Sequence, residues 1–224
     1  LLPKSVTELY DGRGRDRMII SNWPVQSVQS VHVDGVLVPP AVGDTDSGWI
    51  LEPASDEPPG LMQRLDLRGG YVFGLGRKNI RLVYGAGYQV TDESMTAPVS
   101  GAVHAGEPYG RWRTSVSVLR ESDRSALLRV TSAPASGQFS VSDSGDYTFS
   151  GADAGLRLLV SYGFVPYDLE QAVVEWAAER FRYRDRIGVR SKSLGGAETV
   201  SFDISAVPQF VSSVLQTYTR VVSC

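Results

Sequence analysis

One stretch of this chain reads as a long helix, and everything before it has to be organised without one. VPYDLEQAVVEWAAERFRYRDRIGVRSKSLGGAETVS (residues 165–201) opens with Asp168 and, three residues on, Gln171, a capping-box spacing that predicts a helix start. Leu169, Val173, Trp176 and Ala177 recur at helical spacing, and Ala172, Val174, Ala178 and Phe181 widen the apolar stripe until it suits contacts on more than one side. The helix is expected to end near Gly188, with Arg180, Arg182, Arg184 and Arg186 opposing the negative pole of its dipole. A second amphipathic helix is expected from Val207, Phe210, Val211, Val214, Leu215 and Tyr218, with Pro208 in its first turn.

Ahead of residue 165 the pattern is β. MIIS and then VQSVQSVHVDGVLV alternate apolar and polar positions around an Asp34-Gly35 turn signal. Val28, Val31 and Val33 break strict phase, which predicts a bulge near Ser30. Residues 39–60 are rich in proline and acid and read as an exposed loop around a short WIL strand, followed by LMQRLDL, YVFGL and NIRLVYGAGY. The runs WRTSVSVL, SALLRVTS, GQFSVS, DYTFS and LRLLVSYGF then follow at close spacing, the signature of a small sandwich or barrel. Its expected core is Trp112, Val116, Val118, Leu128, Val130, Phe139, Tyr147, Phe149, Leu158 and Val160. Beyond the long helix, residues 191–196 read as a loop, ETVSFDI as a short strand and residues 220–224 as an unanchored tail.

The wording "VP.DL.QAV.E.A..R...RD.IG..SKSLGG.ETVSF" followed by "VP..V...L..Y.R" resembles the C-terminal half of tailed-bacteriophage head–tail connector proteins, the adaptor or head-completion family. LLPKSVTELYDGRGRDRMIISNWPVQSVQSVHVDGV and NIRLVYGAGY carry the same resemblance. In that family the GY-type strand end runs within a few residues into the VP.DL helix, whereas Tyr88 and Val165 here are far apart and LRLLVSYGFVP repeats the strand type of NIRLVYGAGY. The fold expected is therefore α+β: a β-rich connector body with a long helix and a C-terminal helix, carrying an inserted small all-β domain. The boundaries are 1–90 for the N-terminal body, 91–164 for the insertion and 165–224 for the helices and tail. The resemblance implies a non-enzymatic virion protein at the head–tail junction, assembled in the host cytoplasm as a dodecameric ring. Its partners would be the portal above and a neck, stopper or tail-completion protein below. It also implies helices ahead of Leu1.

Charge is segregated although the formal net charge is only −3. No Lys or Arg falls between Arg17 and Arg64, where Asp44, Asp46, Glu52, Asp56 and Glu57 form an acidic face; Arg180, Arg182, Arg184, Arg186, Arg190 and Lys192 form a basic one. Two solvated surfaces would look the same, but a ring built head-to-tail needs two complementary faces on each subunit. The basic run suits DNA passing through a ring and docking on an acidic partner equally, since arginine forks fit phosphates and carboxylates alike. Arg220, Val221, Val222 and the carboxylate of Cys224 are the tail's candidate contacts.

Catalytic signatures are scarce. The histidines are His32, on a predicted strand two residues from Asp34, and His104, in a predicted loop; no G-x-S-x-G elbow accompanies either. With Cys224 the sole cysteine, no metal or cofactor site is expected. GGYVFGLGRKN lacks a Walker pattern and reads as hairpin glycines. No apolar run is long enough to cross a bilayer as a helix, so no membrane partner is expected. A carbohydrate-binding module using Trp49 or Trp112, or a small hydrolase, are the rival readings.

Overall fold

The computed structural model describes residues 1–43, 45–53, 62–184, 191–194, 198–201 and 207–218. About 49% of the chain is strand and about 16% helix, so it is a β-rich α+β protein. It divides into two compact units, one holding Leu1–Val165 and the other Pro166–Thr219.

The first unit begins with β1 (Lys4–Gly12), β2 (Arg17–Ile19), β3 (Val25–Val33), β4 (Val36–Val38), β5 (Gly48–Glu52), β6 (Arg64–Arg68) and β7 (Gly76–Ala86). They form two sheets, ordered β1-β7-β3-β4 and β2-β6-β5, whose inner faces share one core from Tyr10 to Ala86. Asp34 and Gly35 both take positive φ, which matches the twist of the tight β3–β4 hairpin. The expected bulge is present: β3 slips against β7 between Val28 and Ser30, and again between Val25 and Ser27. These slips turn Val25, Val28, Val31 and Val33 toward the same core despite their irregular spacing. YVFGL departs from expectation. It forms no strand; Phe73 alone is buried and bridges Arg15.

Several polar groups inside this core are paired with one another. Glu8 accepts hydrogen bonds from the hydroxyls of Tyr10 and Tyr84, the latter at 2.7 Å, and from Asn22 Nδ2 at 2.9 Å. Burial raises the pKa of both phenols, which keeps them protonated as donors. Fully buried Gln63 accepts the Val25 N–H at 2.6 Å and donates to the Pro53 carbonyl at 3.1 Å, pinning the start of β3.

From Gln89 the chain leaves this core through β8 (Gln89–Thr96), β9 (Ala102–His104), β10 (Gly110–Arg120), β11 (Leu128–Arg129), β12 (Gln138–Val141) and β13 (Asp146–Phe149), and returns along β14 (Arg157–Pro166). Sheets β10-β14-β8 and β11-β12-β13-β9 enclose a second core whose members run from Met95 to Tyr162, with none shared with the first. The exit and return are neighbours: Gln89 pairs with Gly163, Phe164 N donates to Tyr88 O at 3.2 Å, and the two rings meet edge-on at 5.8 Å.

Several expectations for this part are corrected. SALLRVTS yields only the two residues of β11, and Leu127 rather than Leu128 is buried. Val116 also faces out, while Val130 is half-buried. The polar run QVTDESMT and the short AVH, which carry too little apolar alternation to stand out, are the strands β8 and β9.

The second unit contains α1 (Tyr167–Tyr183), β15 (Ser191–Leu194), β16 (Glu198–Ser201) and α2 (Gln209–Thr217). The segment expected as a loop at 191–196 is in part a strand, since β15 and β16 pair antiparallel from Ser191↔Ser201 to Leu194↔Glu198. Asp168 is not the N-cap either. Pro166 holds that position without a side-chain bond, because its fixed φ and extended ψ start the helix two residues earlier. Asp168 Oδ1 instead accepts the Leu169 N–H at 2.8 Å and the Tyr218 hydroxyl, tying the C-terminal end of α2 to the start of α1. The helix ends at Tyr183 with Arg184 as C-cap; the expected stop at Gly188 lies outside the described residues.

Candidate assembly surface

Helix α1 presents three faces. Leu169 and Ala172 are buried and Trp176 is half-buried, which forms the first. Glu175, Ala178, Glu179 and Arg182 form the second, which with Pro208, Gln209, Phe210 and Val211 lines a groove of about 450 Å3 beside α2. Val173, Val174, Ala177 and Phe181 form the third. Val173, Val174 and Phe181 are 51%, 61% and 65% exposed, an unusual fraction for three large apolar side chains on one helix. The wide stripe expected to contact more than one side is thus exposed over half its girth.

Two arginines lie over this helix's aromatic rings. The Arg180 guanidinium stands 6.0 Å from the Trp176 ring centre and that of Arg184 4.8 Å from Phe181. Such stacking fixes the forks at the edge of the apolar face instead of leaving them loose in solvent. Arg182 is exposed on the groove side. Lys192 falls on β15, opposite Val200. Arg186, Arg190, Arg220, Val221, Val222 and Cys224 lie outside the described residues, as do Asp44, Asp56 and Glu57. Of the acidic face, Asp46 is exposed and accepts the Gly43 N–H at 2.8 Å; Glu52 ends β5, half-buried and opposite Arg64.

The catalytic and sugar-binding rivals meet specific geometry. Trp112 is buried, with Nε1 donating to the Tyr147 hydroxyl at 3.1 Å, and Trp49 packs against the first core, so neither is an open aromatic platform. Asp34 accepts from Asn79 Nδ2 at 3.0 Å. His104 ends strand β9 instead of lying in a loop, and its Nδ1 is 2.8 Å from Asp146 Oδ1. The hydroxyls of Ser142 and Ser144 donate to the other oxygen of Asp146, at 3.0 and 2.6 Å, so they serve the carboxylate and not the imidazole. No group of three or more metal-ligating side chains occurs among the described residues, and no described helix is long and apolar enough to cross a membrane.

Ser144, His104 and Ser142 together hold the Asp146 carboxyl down to about 2. Its folded value lies below its unfolded one, so its contribution is present above pH 4 and is lost as pH falls toward 2. Asp123, held down by the Ser125 N–H and hydroxyl, has the same sign. Denaturant unfolding measured from pH 5 to pH 2 should therefore show a steeper loss of stability in the native chain than in Asp146→Asn. Equal slopes would remove Asp146 from the account.

Compared with protein-family models and with curated proteins, the sequence finds no match.

Proposed function

We propose that the chain is a structural, non-catalytic subunit of a tailed-phage virion, a head–tail connector that assembles with its own copies into a ring. The ring would sit between the portal and a neck or tail-completion protein. The observation that supports this reading is the third face of α1, apolar, exposed and edged by Arg180 and Arg184. Fully burying a Val or Phe side chain contributes about 1.5–3 kcal/mol, while association costs roughly 4–15 kcal/mol. Three such side chains do not hold a lone dimer tightly, but a closed ring repeats the contact at every subunit boundary and adds ring closure to each. The acid-only run between Arg17 and Arg64 supplies charge of the opposite sign for orienting a neighbour.

Native mass spectrometry of the purified chain tests it. The expected species is one closed oligomer, and Val173→Glu with Phe181→Glu should convert it to monomer. The affected positions are exposed, so the monomer should keep its circular dichroism. A wild-type chain that stays monomeric at every concentration, in the presence and absence of portal, would sink the reading.

A further inference from the structure

The loop glycines at 69–76 did not fit any phosphate-loop pattern, yet the structure puts them against a second glycine- and arginine-rich loop. Gly14 N donates to Phe73 O and Phe73 N to Arg15 O, both at 2.8 Å, so residues 12–17 and 71–78 lie side by side. Buried Phe73 roots the pair in the first core.

The β1–β7 register jumps from Tyr10↔Ile80 to Gly12↔Gly76, so Asp11 alone faces Arg77, Lys78 and Asn79. This bulge is pinned throughout. Asp11 accepts the Lys78 N–H at 2.6 Å, holding Lys78 at φ 51°. Asn79 accepts the Gly12 N–H at 2.9 Å and donates to Gly74 O and Asp34 Oδ1, each at 3.0 Å. A Cβ at Gly12 would come within 1.7 Å of the Gly74 carbonyl, so the close approach requires glycine there.

What the scaffold presents is cationic. Arg13, Arg15, Arg77 and Lys78 are all exposed and make no ion pair with any described residue. The nearby carboxylates of Asp11 and Asp34 are turned to neutral N–H donors, and Asp16 lies 3.9 Å from Arg17, which also faces Asp66. Tyr71, Val72 and Leu75 stand exposed at the rim.

We propose that these two loops form a binding site for the phosphodiester backbone of nucleic acid. At strand spacings of about 4.8 Å between chains and 3.3 Å per residue, the four cations are carried on a patch roughly 10–15 Å across. That is the reach of a few successive phosphates. Three of the four are arginines, whose forks pair phosphate oxygens two at a time. The exposed Tyr71 ring offers a surface for a sugar or an unpaired base. The contact is to the backbone and carries no sequence preference. The proposal stands apart from the ring reading, because the site is complete within one subunit.

The test is fluorescence anisotropy of a short labelled duplex of mixed sequence, titrated with the full chain across a salt series. Binding should weaken with salt, and Arg13→Gln with Arg77→Gln should reduce the slope of log affinity against log salt by about 1.8. Arg129→Gln, on exposed β11, should leave that slope unchanged. A labelled acidic peptide and phosphatidylserine vesicles run alongside: preferential binding of either one, lost in the same double variant, overturns nucleic acid as the ligand. No duplex binding at low salt, or a slope untouched by the double variant, also overturns the proposal. Native mass spectrometry of the same samples reports the oligomer independently.

Discussion

Replacing residues 90–162 with Asn-Gly is expected to leave the first core folded. Gln89 and Gly163 are already an antiparallel pair, so a two-residue turn of positive φ joins them without moving either strand. Every member of the first core lies between Tyr10 and Ala86, and the Tyr88–Phe164 contact that closes the excursion is retained. The costs are local. Tyr109, whose ring centre is 6.1 Å from that of Phe164, is removed, and the retained end of β14 loses its neighbour β10. The shortened chain should show cooperative urea unfolding with a smaller slope, in proportion to the surface it no longer buries. Non-cooperative unfolding, or loss of native near-ultraviolet dichroism from the tyrosines of the first core, would show that the two cores depend on one another.

How much of this was legible in the sequence depended on whether the signal was local. The Asp34-Gly35 hairpin and the bulge near Ser30 could be read because turn chemistry and a broken alternation of valines sit within a few residues of their cause. Strand β8 could not, because QVTDESMT is shaped by its partner: it is held by β14 and buries Met95 while its acids face other donors. Glu93, for example, accepts the Gly106 N–H at 2.7 Å. Buried Asp153 was equally silent; its carboxylate accepts from Ser136 Oγ and Gly137 N, both at 2.8 Å, across a long sequence separation.

The candidate surfaces divide the same way. Helical spacing alone indicated that α1 has more apolar residues than one contact needs, and the exposure of Val173, Val174 and Phe181 accords with it. The cationic platform is different. Arg13, Arg15, Arg77 and Lys78 are far apart in the chain and look like ordinary surface charge until the β1–β7 bulge brings them together. Conversely, the Asp168–Gln171 spacing was legible but misleading. Gln171 Nε2 donates to Glu175 one turn on, at 2.8 Å, and the proline ahead sets the helix start.

Trp112→Ala is expected to destabilise the second core by about 3–5 kcal/mol, the range for a buried large aromatic. The side chain is 4% exposed and meets Tyr147 edge-on with centres 6.5 Å apart. It also packs so closely on the turn at Gly145 that a Cβ there would lie 2.8 Å from its ring. Removal would leave a cavity under that turn and take away the indole N–H that the Tyr147 hydroxyl accepts. Trp112→Phe keeps much of the ring volume while losing the hydrogen bond, so it should cost less than Trp112→Ala. The size of the effect makes it a probe of coupling as well as of packing. If the cores unfold separately, far-ultraviolet dichroism in urea should resolve two transitions, and Trp112→Ala should move one toward lower urea while the other stays in place. Should both move together, unfolding of the second core takes the first with it. In that case the paired strands β8 and β14 transmit stability between the two cores as well as joining them.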